Sequence, residues 1–376
     1  MPELQELLGE IQFISKNPKK IFERHLTAGK KVVGCFPFYI PEAIVHAGGM
    51  LPFGLWGGQV TPAVAGKYSP AFTCSILRSC LEYGMTGTYK GLSCAVMPIL
   101  CDSFRGTSCA WRVGVADIPL ALFIYPQQRS DPYAKEFLAK EFNELRSRIE
   151  EFTGCSINDA AIQKSIEVYN QHAKAMMSFS EIANDHLDIV TPTVRHHVFK
   201  SAHFTDKLEH TALVQKLNAL LLQRPVHAWA GKKIVLSGIT AEPDEFLQLF
   251  EENNIAVVGD DLAQESRLYR TPIPVGDDPI VRLALQWFDR TGCSVIHEPN
   301  FTRGKMLVDM VKRTGADGIA LCLMHYCDVE EYDYPLIMDD VREANIRLIC
   351  LDIDQSTNNN EQSRTKIQGF AEITPA

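Results

Sequence analysis

Two apolar runs of this chain end in the same dipeptide. "CAVMPILCDSF" carries Cys94 to Leu100 into Cys101 and Asp102, and "LCLMHYCDVEEYDYP" carries Leu321 to Met324 towards Cys327 and Asp328. A third cysteine, Cys74 in "AFTCSIL", stands at the expected start of a helix. Thiolates at strand ends and helix starts can hold a soft metal or an iron–sulfur cluster. A helix start also lends partial positive charge, which favours the thiolate form at Cys74. Cys80 lies six residues further along that helix, about 600° around it, and so points away as a structural thiol.

The remaining cysteines divide. Cys94, Cys155, Cys293, Cys322 and Cys350 sit inside apolar runs or single loops and read as buried reduced thiols. Cys35 in "VVGCFP" and Cys109 in "RGTSCAW" lie near expected strand-end loops and stay open as further ligands. No C-x-x-C occurs, so the common zinc and ferredoxin spacings are absent. Neither G-x-x-x-x-G-K-[ST] nor G-x-G-x-x-G occurs, which speaks against ATP or dinucleotide binding by those routes. "DDLAQESR", Asp260 to Arg267, reads either as a site loop or as a helix start with acidic first-turn residues. "DVEEYDYP" reads as an acidic surface loop, and His46 and His325 read as satisfied structural residues.

Positioning these residues falls to alternating strands and helices. "KKVVGCFPFYI" is a strand running into a loop, "PEAIVHAGGM" a short helix closed by glycine, "FTCSILRSCLEYGM" a helix, and "CAVMPIL" and "IPLALFIYP" strands. Long amphipathic helices fill the stretch from about Asp131 to about Gln223. Strands return as "KKIVLSGI", "IAVVGDD", "CSVIHEP", "DGIALCLM" and "IRLICLDID", with helical runs such as "PDEFLQLFEENN" and "RGKMLVDMVKRTG" between them. The pattern predicts two open parallel-sheet α/β lobes, Rossmann- or flavodoxin-like, over 1–130 and 226–376. A helical middle region, 131–225, joins them, with ligands in the cleft at the carboxyl ends of the strands.

The chain has 376 residues, 46% hydrophobic and 22% charged, with a net charge of −9. That is globular composition with room for more than one core. No window approaches the ~18 consecutive apolar residues of a membrane span, and the first twenty residues lack a secretory pattern, so a cytoplasmic protein is expected. The acidic balance, without clustered Lys and Arg, argues against nucleic-acid binding.

With Cys74, Cys101 and Cys327 in place, the chain resembles the 2-hydroxyacyl-CoA dehydratase family, which also includes benzoyl-CoA reductase-type subunits. The likeness runs through "GKKVVGCFPFYIPEAIVHAGGMLPFGLWGG", "SPAFTCSILRSCLEYGMTGTY", "DDLAQESRLYRTPIPVGDD", "HYCDVEEYDYP" and "DQSTNNNEQSRTKIQGFAE". It is greatest to the smaller, β-type subunits of dehydratases for (R)-2-hydroxyisocaproyl-CoA and phenyllactyl-CoA in amino-acid-fermenting anaerobes.

The resemblance implies an oxygen-sensitive heterodimeric lyase. A [4Fe-4S] cluster would be held by Cys74, Cys101 and Cys327, the larger α-type partner would carry most of the acyl-CoA contact, and a separate ATP-hydrolysing iron–sulfur activator would supply an electron. Reduction of the acyl-CoA to a ketyl radical anion then expels the hydroxyl group. The fourth iron coordinate stays open among Cys35, Cys109, water and an inorganic sulfur. The catalytic residues and the acyl group are not assigned. Two other outcomes follow from the same residues: a related ATP-driven reductase subunit of double-cubane or benzoyl-CoA reductase type, and a two-lobed small-ligand-binding protein that is not an enzyme. A zinc-stabilised structural subunit is a further alternative.

Overall fold

A computed structural model describes residues 2–356 and 360–373. The "STNNN" part of the resemblance motif therefore lies partly outside the described residues. Helices α1 (Pro2–Lys16) and α2 (Pro18–Thr27) precede the first sheet, whose strands are β1 (Val32–Cys35), β2 (Leu51–Gly54), β3 (Cys94–Ile99) and β4 (Leu120–Ile124). The connecting helices are α3 (Glu42–Ala47), α4 (Ser75–Met85) and α5 (Asp102–Gly114). Four helices follow: α6 (Ala134–Thr153), α7 (Asp159–Ile182), α8 (Pro192–Ser201) and α9 (Lys207–Leu222). The second sheet holds β5 (Lys232–Gly238), β6 (Ile255–Leu262), β7 (Gly318–Met324) and β8 (Arg347–Ile353). Around it lie α10 (Asp244–Glu252), α11 (Pro279–Asp289), α12 (Arg303–Thr314), α13 (Asp328–Glu343) and α14 (Glu361–Glu372).

Both sheets are parallel throughout and share one strand order, β2-β1-β3-β4 and β6-β5-β7-β8. The expected pair of parallel α/β units is what the chain forms. In each sheet the crossover reverses direction between the first and third strands, which opens a crevice beyond their carboxyl ends. The inner strands read as continuous apolar runs because helices cover both faces: Val32, Val33, Cys94 to Met97, Ile234, Val235 and Ile319 to Cys322 are inaccessible to solvent. One core unites the first sheet with Ile280, Leu283, Ala284, Trp287 and Cys293, so α11 and the loop after it pack on the first sheet although they lie between strands of the second.

Three local expectations are corrected. "LPFG" was not foreseen as a strand, because it is short and contains Pro52, yet it pairs with β1 as Leu51↔Val32 through Gly54↔Cys35. "CSVIHEP" is a turn-containing segment and not a strand; the Ile296 N–H bonds back to the Cys293 carbonyl, and Gly292 precedes it at φ 63°. "DVEEYDYP" is not a surface loop: it is the first two turns of α13, where acidic residues complement the helix start, and Glu330 points inward. Asp260 and Asp261 of "DDLAQESR" belong to the end of β6 and are buried.

Candidate functional site

Four helices of this chain start on side-chain caps. Asn158, Thr191, Asp206 and Asp278 each accept a hydrogen bond from a backbone N–H one turn into α7, α8, α9 and α11. Such a cap is worth about 1 kcal/mol. Three helices forgo it and place a cysteine at that position: Cys74 before α4, Cys101 before α5 and Cys327 before α13. Helices α3, α6 and α10 also start without a side-chain cap, on Pro41, Tyr133 and Pro243, so it is the cysteine at all three starts, and not the missing bond, that marks a candidate site.

Strand ends deliver two of the three. β3 stops at Ile99 and Cys101 follows after one residue; β7 stops at Met324 and Cys327 follows after two, with Tyr326 at φ 63° turning the chain. Cys74 arrives from the long loop after β2. Beside it, the Ser75 hydroxyl accepts from the Gln355 backbone N–H (3.2 Å), while the Gln355 side chain donates to the Trp56 carbonyl (3.3 Å) and to Glu242 (2.8 Å). The end of β8 is thereby tied to the first unit next to Cys74.

The three thiols act on one another. Burial pushes the Cys74 pKa up to about 12, and the N–H groups of Leu77 and Ile76 and the neighbouring Cys101 modify that rise. Burial raises Cys101, against the N–H groups of Phe104 and Ser103. Cys327 is raised well above the ordinary thiol value by burial, then by Glu330, with Cys74 and Cys101 adding to it. None of the three sulfurs makes a capping hydrogen bond. The unliganded set is thus neutral, with three helix starts directing partial positive charge at it. A bound cation would convert the thiols to thiolates and use that field.

Among the described residues no three His, Cys, Asp or Glu side chains come close enough to hold a single metal ion. Three spaced thiols suit a polynuclear sulfur-rich group better than a single zinc or a hard cation.

Behind Cys327 lies a buried ion network that the sequence did not disclose. Arg303, at the start of α12, donates from Nη1 and Nη2 to the two Glu330 oxygens, both at 3.0 Å, and from Nε to Asp261 at 2.9 Å. It also reaches Ser237 (3.0 Å) and Asp333 (3.1 Å). Arg267 meets Asp261 through Nε (3.1 Å) and Nη2 (3.0 Å). Arg270 meets it at 2.6 Å. These guanidinium groups hold Asp261 far below the usual carboxylate range despite its burial. Arg303 and Arg267 likewise keep the buried Glu330 carboxyl low. The legible signal was Glu330 three residues after Cys327, one turn along the same helix.

The two remaining candidates lie apart from this set. Cys35 is buried at the end of β1, where burial, then Glu42 and Cys94, raise it well above the usual thiol value. Cys109 is exposed on α5, eight residues past Cys101, about 12 Å further along the helix. Cys80 donates to the Leu55 carbonyl at 3.0 Å as a structural thiol. Cys293, expected to be a plain buried thiol, accepts from the Tyr39 hydroxyl at 3.0 Å with Arg267 at 3.5 Å. Exposed aromatic side chains stand beside the caps, Phe72 at 69%, Tyr326 at 50% and Tyr332 at 81%, among the exposed charges of Asp102, Asp328 and Glu331.

The family "2-hydroxyglutaryl-CoA dehydratase, D-component" matches residues 37–374. The chain is 39% identical over 373 residues to the (R)-phenyllactyl-CoA dehydratase beta subunit of Clostridium sporogenes, covering 99% of this chain and 100% of that one. It is 37% identical over 376 residues to the lactoyl-CoA dehydratase subunit beta of Anaerotignum propionicum, covering 99% and 100%. It is 33% identical over 375 residues to the (R)-2-hydroxyglutaryl-CoA dehydratase subunit beta of Acidaminococcus fermentans, covering 98% and 99%.

Proposed function

Because the chain belongs to the 2-hydroxyglutaryl-CoA dehydratase D-component family, we propose that it is the β-type subunit of an (R)-2-hydroxyacyl-CoA dehydratase, a hydro-lyase yielding a 2-enoyl-CoA. The observation that carries the reading is the triple replacement of helix caps by mutually interacting cysteines, Cys74, Cys101 and Cys327.

These three would hold a [4Fe-4S] cluster. When bound, the cluster supplies one-electron relay chemistry, at a potential set by the charges and N–H groups around its sulfurs. The work left to the protein is visible in its residues. N–H groups at three helix starts face the sulfurs and favour thiolate over thiol. The three cysteines are half-buried, so full exclusion of water from the site would fall to a docked partner. Arg303 and Arg267 neutralise Glu330, so that a free carboxylate does not oppose negative charge at Cys327.

The partner is a larger α-type subunit that carries most of the acyl-CoA contact, as the beta-subunit naming of the relatives suggests. The exposed Phe72 and Tyr326 beside two of the caps suit coverage by such a partner. A separate ATP-hydrolysing iron–sulfur activator supplies the electron, consistent with the lack of a phosphate loop here. The acyl-CoA, reduced by one electron to a ketyl radical anion on the partner, would expel hydroxide and lose a β-proton, and return of the electron would leave the 2-enoyl-CoA with net loss of water. No helix among the described residues is long and apolar enough to cross a membrane; a cytoplasmic location is part of the proposal.

The test is iron and acid-labile sulfide content of the chain purified without oxygen and co-expressed with its partner. About four of each per chain is expected. About eight irons would replace this reading with a double-cubane reductase, and no iron would end it. Full turnover of the assembled complex after Cys101→Ala would refute the relay role.

A further inference from the structure

A cavity of about 100 Å³ lies beyond the carboxyl end of β1, among the loop from Cys35 to Ala43, α7, α11 and Arg290. Most of its wall is apolar, including Phe38, Trp56, Leu268 and Leu283. Its charges do not balance. Lys207 pairs with Glu42 at 3.3 Å, and the same Glu42 oxygen accepts from the Tyr169 hydroxyl at 3.0 Å. Burial keeps His172 and His203 neutral near pH 7, the latter lowered to about 4. Arg290 remains. It is 7% exposed, its Nη1 is buried without a hydrogen-bond partner, and its guanidinium stacks over the Tyr39 ring at 4.0 Å.

The ionisable groups that act most on Arg290 are Tyr39, Tyr125, Cys293 and Arg270, and among the described residues its guanidinium lacks both an ion-pair partner and a hydrogen bond at Nη1. Arg270 is itself engaged by Asp261 at 2.6 Å. A buried guanidinium without an acid is costly, and a cavity wall is the one direction from which an anion can reach it.

We propose that this cavity binds a small organic carboxylate, with the carboxyl group on Arg290 and the apolar tail among Phe38, Trp56, Leu268 and Leu283. The planar guanidinium fork matches a carboxylate, and the single unbalanced charge matches a monoanion. A cavity of about 150 Å³ takes benzene, so this volume takes roughly four to five non-hydrogen atoms, as in a two- or three-carbon acid. None of the three cap cysteines lines the cavity. Failure to bind iron and failure to bind a carboxylate are therefore separate results.

Calorimetric titration of the full chain tests this, with sodium propanoate, its neutral amide and inorganic phosphate as probes. Saturable binding of one carboxylate per chain is expected, at least about tenfold weaker for the amide and for Arg290→Met, and partly retained in Arg290→Lys. Trp56 fluorescence should change on binding. Ala173→Leu narrows the cavity and leaves the guanidinium in place, so it should abolish binding of propanoate in a folded chain. No saturable binding to the unmodified chain, equal affinity in Arg290→Met, unchanged affinity in Ala173→Leu, or phosphate binding as tightly as the carboxylate would each overturn the proposal.

Discussion

Arg303→Met removes the group that joins the end of β6 to the first turn of α13. The guanidinium is 4% exposed and serves Glu330 bidentately together with Asp261, Ser237 and Asp333. Losing one member of a buried ion pair costs about 3–5 kcal/mol, because the other charge stays buried without its partner. The lower end applies here, since Arg267 still stands 3.6 Å from Glu330. Taking about 2.1 cal/mol/K of unfolding entropy per residue, the 376 residues give about 0.8 kcal/mol/K. The expected fall in Tm is thus about 4 °C by calorimetry. The double variant Arg303→Met/Glu330→Met removes both charges and should be less destabilised than the sum of the two single changes by more than about 1 kcal/mol. A Tm shift within about 1 °C for Arg303→Met, or strict additivity in the cycle, would refute the role assigned to the network.

Cys74→Ser, Cys101→Ser and Cys327→Ser should each lower iron per chain after anaerobic purification, while Cys109→Ser on the exposed face of α5 should leave it unchanged. Stability should fall on both sides of neutrality. Burial pulls the His196 pKa down, but Glu242, 3.4 Å from Nε2, and Glu265, bonded to Nδ1 at 2.7 Å, win and raise it to about 9. Its contribution is complete below the unfolded value of about 6.5 and is lost as pH climbs through 9, about 3 kcal/mol in all. Glu242, held far below the usual range by Lys200 and His196 despite burial, is the firmer counter-ion; Glu265 is itself raised by burial. The buried His203 and His210, lowered to about 4 and about 3, withdraw stability as pH drops below about 6.5. Thermal melts across pH 5–10 should show both slopes, with the alkaline one absent in His196→Gln. Gly57→Ala should destabilise by about 1–3 kcal/mol in urea unfolding, since Gly57 sits at φ 73° and a Cβ there would collide with the Ser79 hydroxyl of α4.

The fold was legible wherever burial on both faces wrote itself as an unbroken apolar run. "KKIVLSGI", "DGIALCLM" and "CAVMPIL" became β5, β7 and β3 for that reason. Where composition and geometry parted, the reading failed. The acidic density and Pro335 of "DVEEYDYP" suggested a loop, but a helix accommodates acids in its first turn and here tolerates an internal proline. The Cys101 and Cys327 positions were readable because a strand running into a cysteine is a local signal. The charges that support them were not: Asp261 and Arg303 are 42 residues apart, and only the packed structure shows that one offsets the other. The unpaired Arg290 was equally hidden, since a lone arginine after a helix has no local mark of burial.

Cys101 follows the third strand of the first sheet, and Cys327 follows the third strand of the second, two sheets of identical strand order. The sulfur spacing is therefore a caliper on the angle between the two units. A small rotation of one sheet against the other opens or closes the gap with almost no intervening chain to absorb it. Anything bonded to both sulfurs would clamp that hinge, and anything that levers the hinge from outside, such as a protein docking across it, would strain the bonds at its jaws.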